Sequence, residues 1–116
     1  MVMVNQITLV GKISEMPVVR ETSGGTKVST LKLEIERGFK NSEGIFESDI
    51  MNITLWKGIA SSTVHLANVG DLVAVKGRIQ SSPYEGKDGI EYYNYELIAE
   101  KVTFLTGGNG KEEESE

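Results

Sequence analysis

The strongest constraint on the fold is the stretch from Glu47 to Lys57, which reads E-S-D-I-M-N-I-T-L-W-K. Successive side chains of a β-strand point to opposite faces, so this stretch predicts a strand with two unlike faces. One face carries Met51, Ile53 and Leu55, the pattern of a strand packed on a core. The other carries Ile50, Asn52, Thr54 and Trp56. A large ring on this wetter face suits stacking on a nucleic-acid base, but this strand alone favours burial beneath a second layer of the protein.

Four other segments have the pattern of strands, at residues 6–13, 27–37, 71–80 and 90–105. Gly11 and Gly77 interrupt two of them where a long curved strand would bend. The last strand is expected to be interrupted near Ala99 to Lys101. The connections predict a tight turn at Gly24-Gly25, a hairpin turn over residues 41–44, a short helix after Trp56 and a long hairpin loop over residues 82–89.

The order of these elements favours a closed architecture. Three strands, a short helix and two more strands in an open sheet would leave exposed edges, whereas a barrel largely removes them. The sequence therefore predicts an all-β fold: a five-stranded antiparallel barrel of the oligonucleotide/oligosaccharide-binding kind, with one short helix between strands three and four.

Composition limits the organisation of the chain. Its 116 residues suffice for one domain, placed at residues 1–106, and the glycine-rich acidic end at residues 107–116 is expected to be disordered. The net charge is −5, but without that end it is −2, which still allows a basic groove on one face. No cysteine, signal peptide or apolar membrane span is present, so a cytoplasmic location is the default.

The sequence offers little for catalysis or for binding a cofactor. His65 is the only histidine and falls in the predicted helix, away from any inferred Asp or Ser partner. The acidic residues lack the spacing of a metal site, and no phosphate-binding glycine loop is present. We therefore expect no enzyme activity, no catalytic residues, no metal and no cofactor.

Five segments, in order, resemble the bacterial single-stranded DNA-binding proteins over about residues 4 to 105. They are N-Q-I-T-L-V-G-K-I followed by P-V-V-R, V-S-T-L-K-L-E-I-E-R, M-N-I-T-L-W-K-G, V-G-D-L-V-A-V-K-G-R-I, and Y-Y-N-Y-E-L-I-A-E-K-V-T-F-L. The resemblance implies a barrel that assembles into a homo-oligomer, a dimer or tetramer, and binds single-stranded DNA with little sequence preference. It implies roles in replication, recombination or repair, and a location with the nucleoid.

The resemblance also implies which residues contact DNA. It implies that four rings stack on bases: Phe39, Trp56, Tyr84 and Tyr93. For each ring, the alternative is burial or a contact with another subunit. Arg20 matches a basic position frequent in the family. The other candidate cations are Lys12, Lys32, Arg37, Lys40, Lys57, Arg78 and Lys87, each of which could instead be a solvated charge or the partner of a glutamate.

The chain departs from the family pattern at two places. Ile50 stands where the family often has a tryptophan, so one stacking contact, of roughly 1–3 kcal/mol per base, is replaced by an aliphatic one. The terminal K-E-E-E-S-E is acidic but lacks the apolar tip through which relatives recruit protein partners, which suggests a divergent copy of the phage or mobile-element kind.

Two other functions fit the same barrel. In the first, similar to a primosomal accessory protein, the aromatic residues form a surface for a protein partner or a second subunit. In the second, the barrel binds RNA or an oligosaccharide.

Overall fold

The computed structural model describes residues 2–106, which form six strands and one helix. The strands are β1 (Ile7–Glu15), β2 (Arg20–Glu21), β3 (Lys27–Lys40), β4 (Phe46–Trp56), β5 (Leu72–Glu85) and β6 (Glu91–Phe104), and helix α1 (Lys57–Leu66) joins β4 to β5. The predicted tail lies outside the described residues. Within the described part, no helix is both long and apolar enough to span a membrane.

The five long strands close into a barrel in the order β1, β5, β6, β4, β3 and back to β1. Closure depends on β1, which pairs with β5 from Ile7 to Lys12 and with β3 from Lys12 to Glu15. Gly11 lies just before this change of partner. A Cβ there would stand 2.7 Å from the carbonyl oxygen of Glu34, so the two backbones can approach only because the side chain is absent.

The alternation read from the sequence matches the core. Leu31 and Leu33 of β3 and Ile53 and Leu55 of β4 are fully or almost fully buried inside the barrel. Helix α1 adds the buried side chain of Ala60 to the same core. The predicted barrel, its helix and its apolar strand faces are therefore confirmed.

Three details of the predicted fold were wrong. The barrel is not wholly antiparallel, because β4 and β6 pair in parallel at Ile53↔Leu97 and Thr54↔Ile98. A sixth, two-residue strand, β2, pairs with β3 within what the sequence predicted to be a connection. The expected loop over residues 82–89 is half strand, since β5 continues to Glu85 and only residues 86–90 separate it from β6.

The hairpins β3–β4 and β5–β6 extend beyond the closed barrel. The first continues to the pair Lys40↔Phe46, and the second to Glu85↔Glu91. Each turn contains a glycine with positive φ, +79° at Gly44 and +78° at Gly89, a conformation that side chains disfavour. The barrel thus positions two hairpins that have no core of their own, and the residues near their ends are mostly exposed.

Candidate nucleic-acid interface

One continuous surface spans the barrel side of β1, β3 and β4 that faces away from the core. Cross-strand pairing places Lys12, Glu34 and Ile50 in one row, and Lys32 opposite Asn52 in the next. We call this surface the outer face and define it by Lys12, Lys32, Lys40, Phe46, Ile50, Asn52 and Trp56. The last four lie on one face of β4, because an even number of residues separates each from the next, as the sequence predicted for three of them.

The aromatic rings of this region differ in exposure. Trp56 is half-buried at the end of β4, whereas Phe39 is 66% exposed near the tip of the hairpin. Phe39 lies in an irregular part of β3, between the pairs Glu36↔Ser48 and Lys40↔Phe46, where β3 has more residues than β4. Both rings therefore have surface available for stacking, but only Trp56 is held within a regular ladder.

Arg37 points to the opposite side of the hairpin from the outer face. Its Nε and Nη2 donate to the two carboxylate oxygens of Asp49 at 3.0 and 2.8 Å, and its Nη1 donates to Glu47 at 2.9 Å. Asn41 donates to the second oxygen of Glu47 at 3.0 Å, which links the cluster to the turn. The hydrogen bond from Arg37 lowers the pKa of Asp49, and the reciprocal bond raises the pKa of Arg37.

Two more of the predicted DNA-binding cations are in ion pairs. Lys32 lies 3.4 Å from Glu15, and Arg78 lies 3.2 Å from Glu100. Within residues 2–106, the remaining five predicted cations form no ion pair, and these are Lys12, Arg20, Lys40, Lys57 and Lys87. The unpaired cations have their charge available for a phosphate.

Two of the predicted DNA-binding cations, Arg20 and Lys57, lie close to Trp56. Arg20 of β2 pairs with Val28 of β3, which in turn pairs with Trp56, so the three form one row across the sheet. Lys57 follows Trp56 at the start of α1 and has φ of +57°, the left-handed conformation that non-glycine residues seldom adopt. The chain therefore turns sharply at Lys57 as it leaves the outer face.

The hairpin β5–β6 separates the two predicted tyrosines. Tyr84 pairs with Tyr92, and their rings stack with centroids 5.7 Å apart. Tyr93 pairs with Pro83, so it points to the other face of the hairpin. Tyr84 and Tyr93 are both exposed, but because they face opposite ways they do not form a single stacking surface.

Hydrogen bonds connect the turn of this hairpin to the stacked pair Tyr84 and Tyr92. The hydroxyl of Tyr92 donates to Asp88 at 2.6 Å, and the backbone N–H of Ile90 donates to the same carboxylate at 3.0 Å. These bonds, that from Tyr92 foremost, lower the pKa of Asp88, and the bond to Asp88 raises the pKa of Tyr92. Lys87 belongs to the same turn and is exposed.

The sequence-based site lacked Phe46 and Tyr92, two of the aromatic residues of these hairpins. Phe46 was assigned to the turn because the predicted strand began at Glu47. It nevertheless lies on the same face as Ile50 and Trp56, because an even number of residues separates it from each of them along β4. Extending that periodicity backwards would have found it. Tyr92 gave no such signal, since its role as the ring beneath Tyr84 depends on the register of β5 and β6.

The described residues provide little for metal binding. No group of three His, Asp or Glu side chains within residues 2–106 is arranged to hold a metal ion. His65 lies exposed in the last turn of α1.

Comparison with known proteins gives a consistent family match. Residues 4–105 match the model of the single-strand binding protein family. The chain is 41% identical over 103 residues to the single-stranded DNA-binding protein B of Bacillus subtilis, covering 89% of this chain and 91% of that protein. It is 38% identical over 108 residues to the single-stranded DNA-binding protein of Bacillus cereus, covering 93% of this chain and 64% of the relative.

A solved structure agrees with the fold. A crystal structure of a deletion mutant of the single-stranded DNA binding protein from Thermus aquaticus matches with a TM-score of 0.72 and 27% sequence identity. The match covers 90% of this chain but 51% of the Thermus chain, so this chain spans about half the length of that relative.

Proposed function

Because the chain belongs to the single-strand binding protein family, we propose that it binds single-stranded DNA with little preference among bases. The observation that carries the proposal is the outer face, where the half-buried ring of Trp56 and the exposed ring of Phe46 share one surface with Lys12 and Lys40, neither of which forms an ion pair within residues 2–106. Rings stack on any base and lysines bind any phosphate, so such a surface needs no particular sequence.

The proposed contacts follow from this geometry. Bases stack on Trp56 and Phe39, and on Tyr84 at the second hairpin, while phosphates lie near Lys12, Lys40 and Lys57. Arg20 and Lys87 extend the phosphate path beyond these residues. Contacts of this type hold and protect a strand without changing it chemically, which suits DNA replication, recombination and repair in the cytoplasm, where the nucleoid lies.

We also propose that the protein acts as a homo-oligomer. Tyr93 and Tyr95 are both exposed on the face of the β5–β6 hairpin opposite Tyr84, next to Ile79 and Leu97 of the same face. An exposed apolar surface of this kind favours contact with another protein surface. A subunit contact there would leave the outer face free for DNA.

Quenching of tryptophan fluorescence tests DNA binding directly, because Trp56 is the only tryptophan of the chain. We expect oligo-dT to quench this fluorescence. The logarithm of the affinity should fall linearly with the logarithm of the salt concentration. Other oligonucleotide sequences should quench almost equally, and duplex DNA much less.

The same titration separates the alternatives. An absence of both quenching and mobility shift at low salt would refute DNA binding and favour the protein-interaction function. Stronger quenching by oligo-U or by an oligosaccharide would instead identify an RNA-binding or sugar-binding barrel.

A further inference from the structure

From the geometry at the end of the β3–β4 hairpin, we propose that Phe46 and Lys40 form a further nucleotide subsite, in which a base stacks on the ring and the lysine binds its phosphate. The inference rests on the proposed function, since it extends the path of the same single strand. It concerns Phe46, which the sequence did not place in the site.

The ring of Phe46 is available to a ligand. It is 45% exposed at the start of β4, and within residues 2–106 it stacks on no other ring. It also lies on the face shared by Ile50 and Trp56, because an even number of residues separates the three along one strand. A strand of DNA that follows β4 from Trp56 therefore meets this ring at the hairpin end.

Lys40 supplies the charge at the same place. It pairs with Phe46 across the hairpin, and its Nζ lies 5.7 Å from the centroid of the ring. Within residues 2–106, Lys40 has no carboxylate partner, in contrast to Lys32 and Arg37 of the same strand. Its ammonium is therefore free to leave the cation–π contact and donate to a phosphate when a base stacks on the ring.

The surface between the two ends of β4 offers less to DNA. Ile50 faces Glu34, which lies between it and Lys12, and Ser48 faces Glu36, so this middle section carries no ring and its unpaired cation lies directly beside an acid. A phosphate backbone is repelled by these carboxylates. From Trp56, the next place on β4 that combines a ring with an unpaired cation is Phe46 with Lys40, about 33 Å away at about 3.3 Å per residue.

The hairpin end is ordered before any ligand binds. Asn41 Oδ1 accepts the backbone N–H groups of Glu43 and Ile45 at 2.8 and 3.0 Å. Asn41 also bonds Glu47, which is held by Arg37. A turn fixed in this way loses little entropy on binding, which favours a subsite there.

The first test compares two variants of the full chain at neighbouring positions. Phe46→Leu removes the aromatic face but keeps an apolar side chain, whereas Ile45→Ala truncates a side chain that is 56% exposed at the adjacent position, just before β4 begins. Binding is measured by the fluorescence anisotropy of a labelled oligo-dT of about 16 nucleotides. We expect Phe46→Leu to weaken binding by about fivefold or more and Ile45→Ala to leave it unchanged.

A second variant reports contact at the ring itself. In Phe46→Trp combined with Trp56→Phe, the introduced indole is the only one, and oligo-dT at saturation is expected to quench it. Both results are required, so wild-type affinity in Phe46→Leu, or an unquenched indole in a chain that anisotropy shows to be bound, overturns the subsite. Failure of the wild-type chain to bind oligo-dT would instead refute the proposed function.

Discussion

At the residue scale, Arg37 shows how an intramolecular partner changes what a cation can do. Three of its nitrogens donate to Asp49 and Glu47, so its charge is already compensated before DNA arrives. The sequence made it a candidate for phosphate contact or for pairing with a glutamate, and it could not give the register that brings two carboxylates opposite it. We infer that Arg37 acts mainly by fixing the hairpin.

Salt dependence distinguishes the two roles. We expect Lys40→Gln to reduce the slope of log affinity against log salt by about one, as the loss of a phosphate contact does. Arg37→Gln should weaken binding with a smaller change in slope, because it disturbs the hairpin without removing a free cation. A slope change in Arg37→Gln equal to that in Lys40→Gln would show that Arg37 contacts phosphate after all.

The same cluster has a defined response to acid. Because Arg37 lowers the pKa of Asp49 in the folded protein, the contact between them stabilises the folded state while Asp49 is ionised. This stabilisation is fully present above the unfolded pKa of Asp49 and is lost as the pH falls through the lowered folded pKa. The contact therefore persists at neutral pH, where DNA binding would be measured. The pH dependence of binding near neutrality should accordingly not come from this pair.

At the element scale, the glycine interruptions read from the sequence correspond to close approaches of backbone. Gly77 of β5 lies at the register shift where Lys76 pairs with Lys101 but Gly77 pairs with Ala99, so β6 has one residue more than β5. A Cβ on Gly77 would collide with the carbonyl group of Ile98. The interruption predicted near Ala99 to Lys101 is the same feature, seen from the other strand.

Substitution of this glycine should therefore destabilise the barrel. We expect Gly77→Ala to lower the free energy of unfolding by about 1–3 kcal/mol, because the atoms in the way are backbone and cannot rotate aside. Gly38→Ala is the matched control, since a Cβ there meets nothing within 4 Å. It should leave stability unchanged or raise it by about 0.4–1 kcal/mol. Urea denaturation measures both, and equal stability of the two variants would contradict the assigned role of Gly77.

What the sequence missed in the elements has a common physical cause. Within the barrel, the alternation of apolar and polar residues shows that side chains such as those of Leu31 and Ile53 face the core, because burial requires an apolar side chain there. Beyond the barrel there is no core, so the sequence has no such pattern. Pro83 therefore suggested a loop, although β5 pairs only with β6 at that point and its other side tolerates a residue without an N–H. The parallel contact at Ile53↔Leu97 depends on how the barrel closes, which local patterns do not encode.

At the scale of the whole molecule, the acidic end and the candidate DNA surface have opposite electrostatic effects. Residues 107–116 contribute four glutamates and one lysine, so a chain ending at Thr106 would change its net charge from −5 to −2. The barrel elements lie within residues 7–104, so the shortened chain retains every residue of the core and of the outer face. Less negative charge reduces the long-range repulsion of a polyanion, an effect that salt screens.

Truncation after Thr106 should therefore strengthen binding to oligo-dT at low salt and have little effect at high salt. We expect the gain mainly in the association rate, because long-range repulsion changes the encounter more than the contacts of the bound state. Stopped-flow quenching of Trp56 measures this rate in both chains, and unchanged thermal unfolding serves as the control for folding. A gain that persists undiminished at high salt would instead show that the acidic end occupies the DNA surface by specific contacts, and equal rates at low salt would show that its charge has no influence on binding.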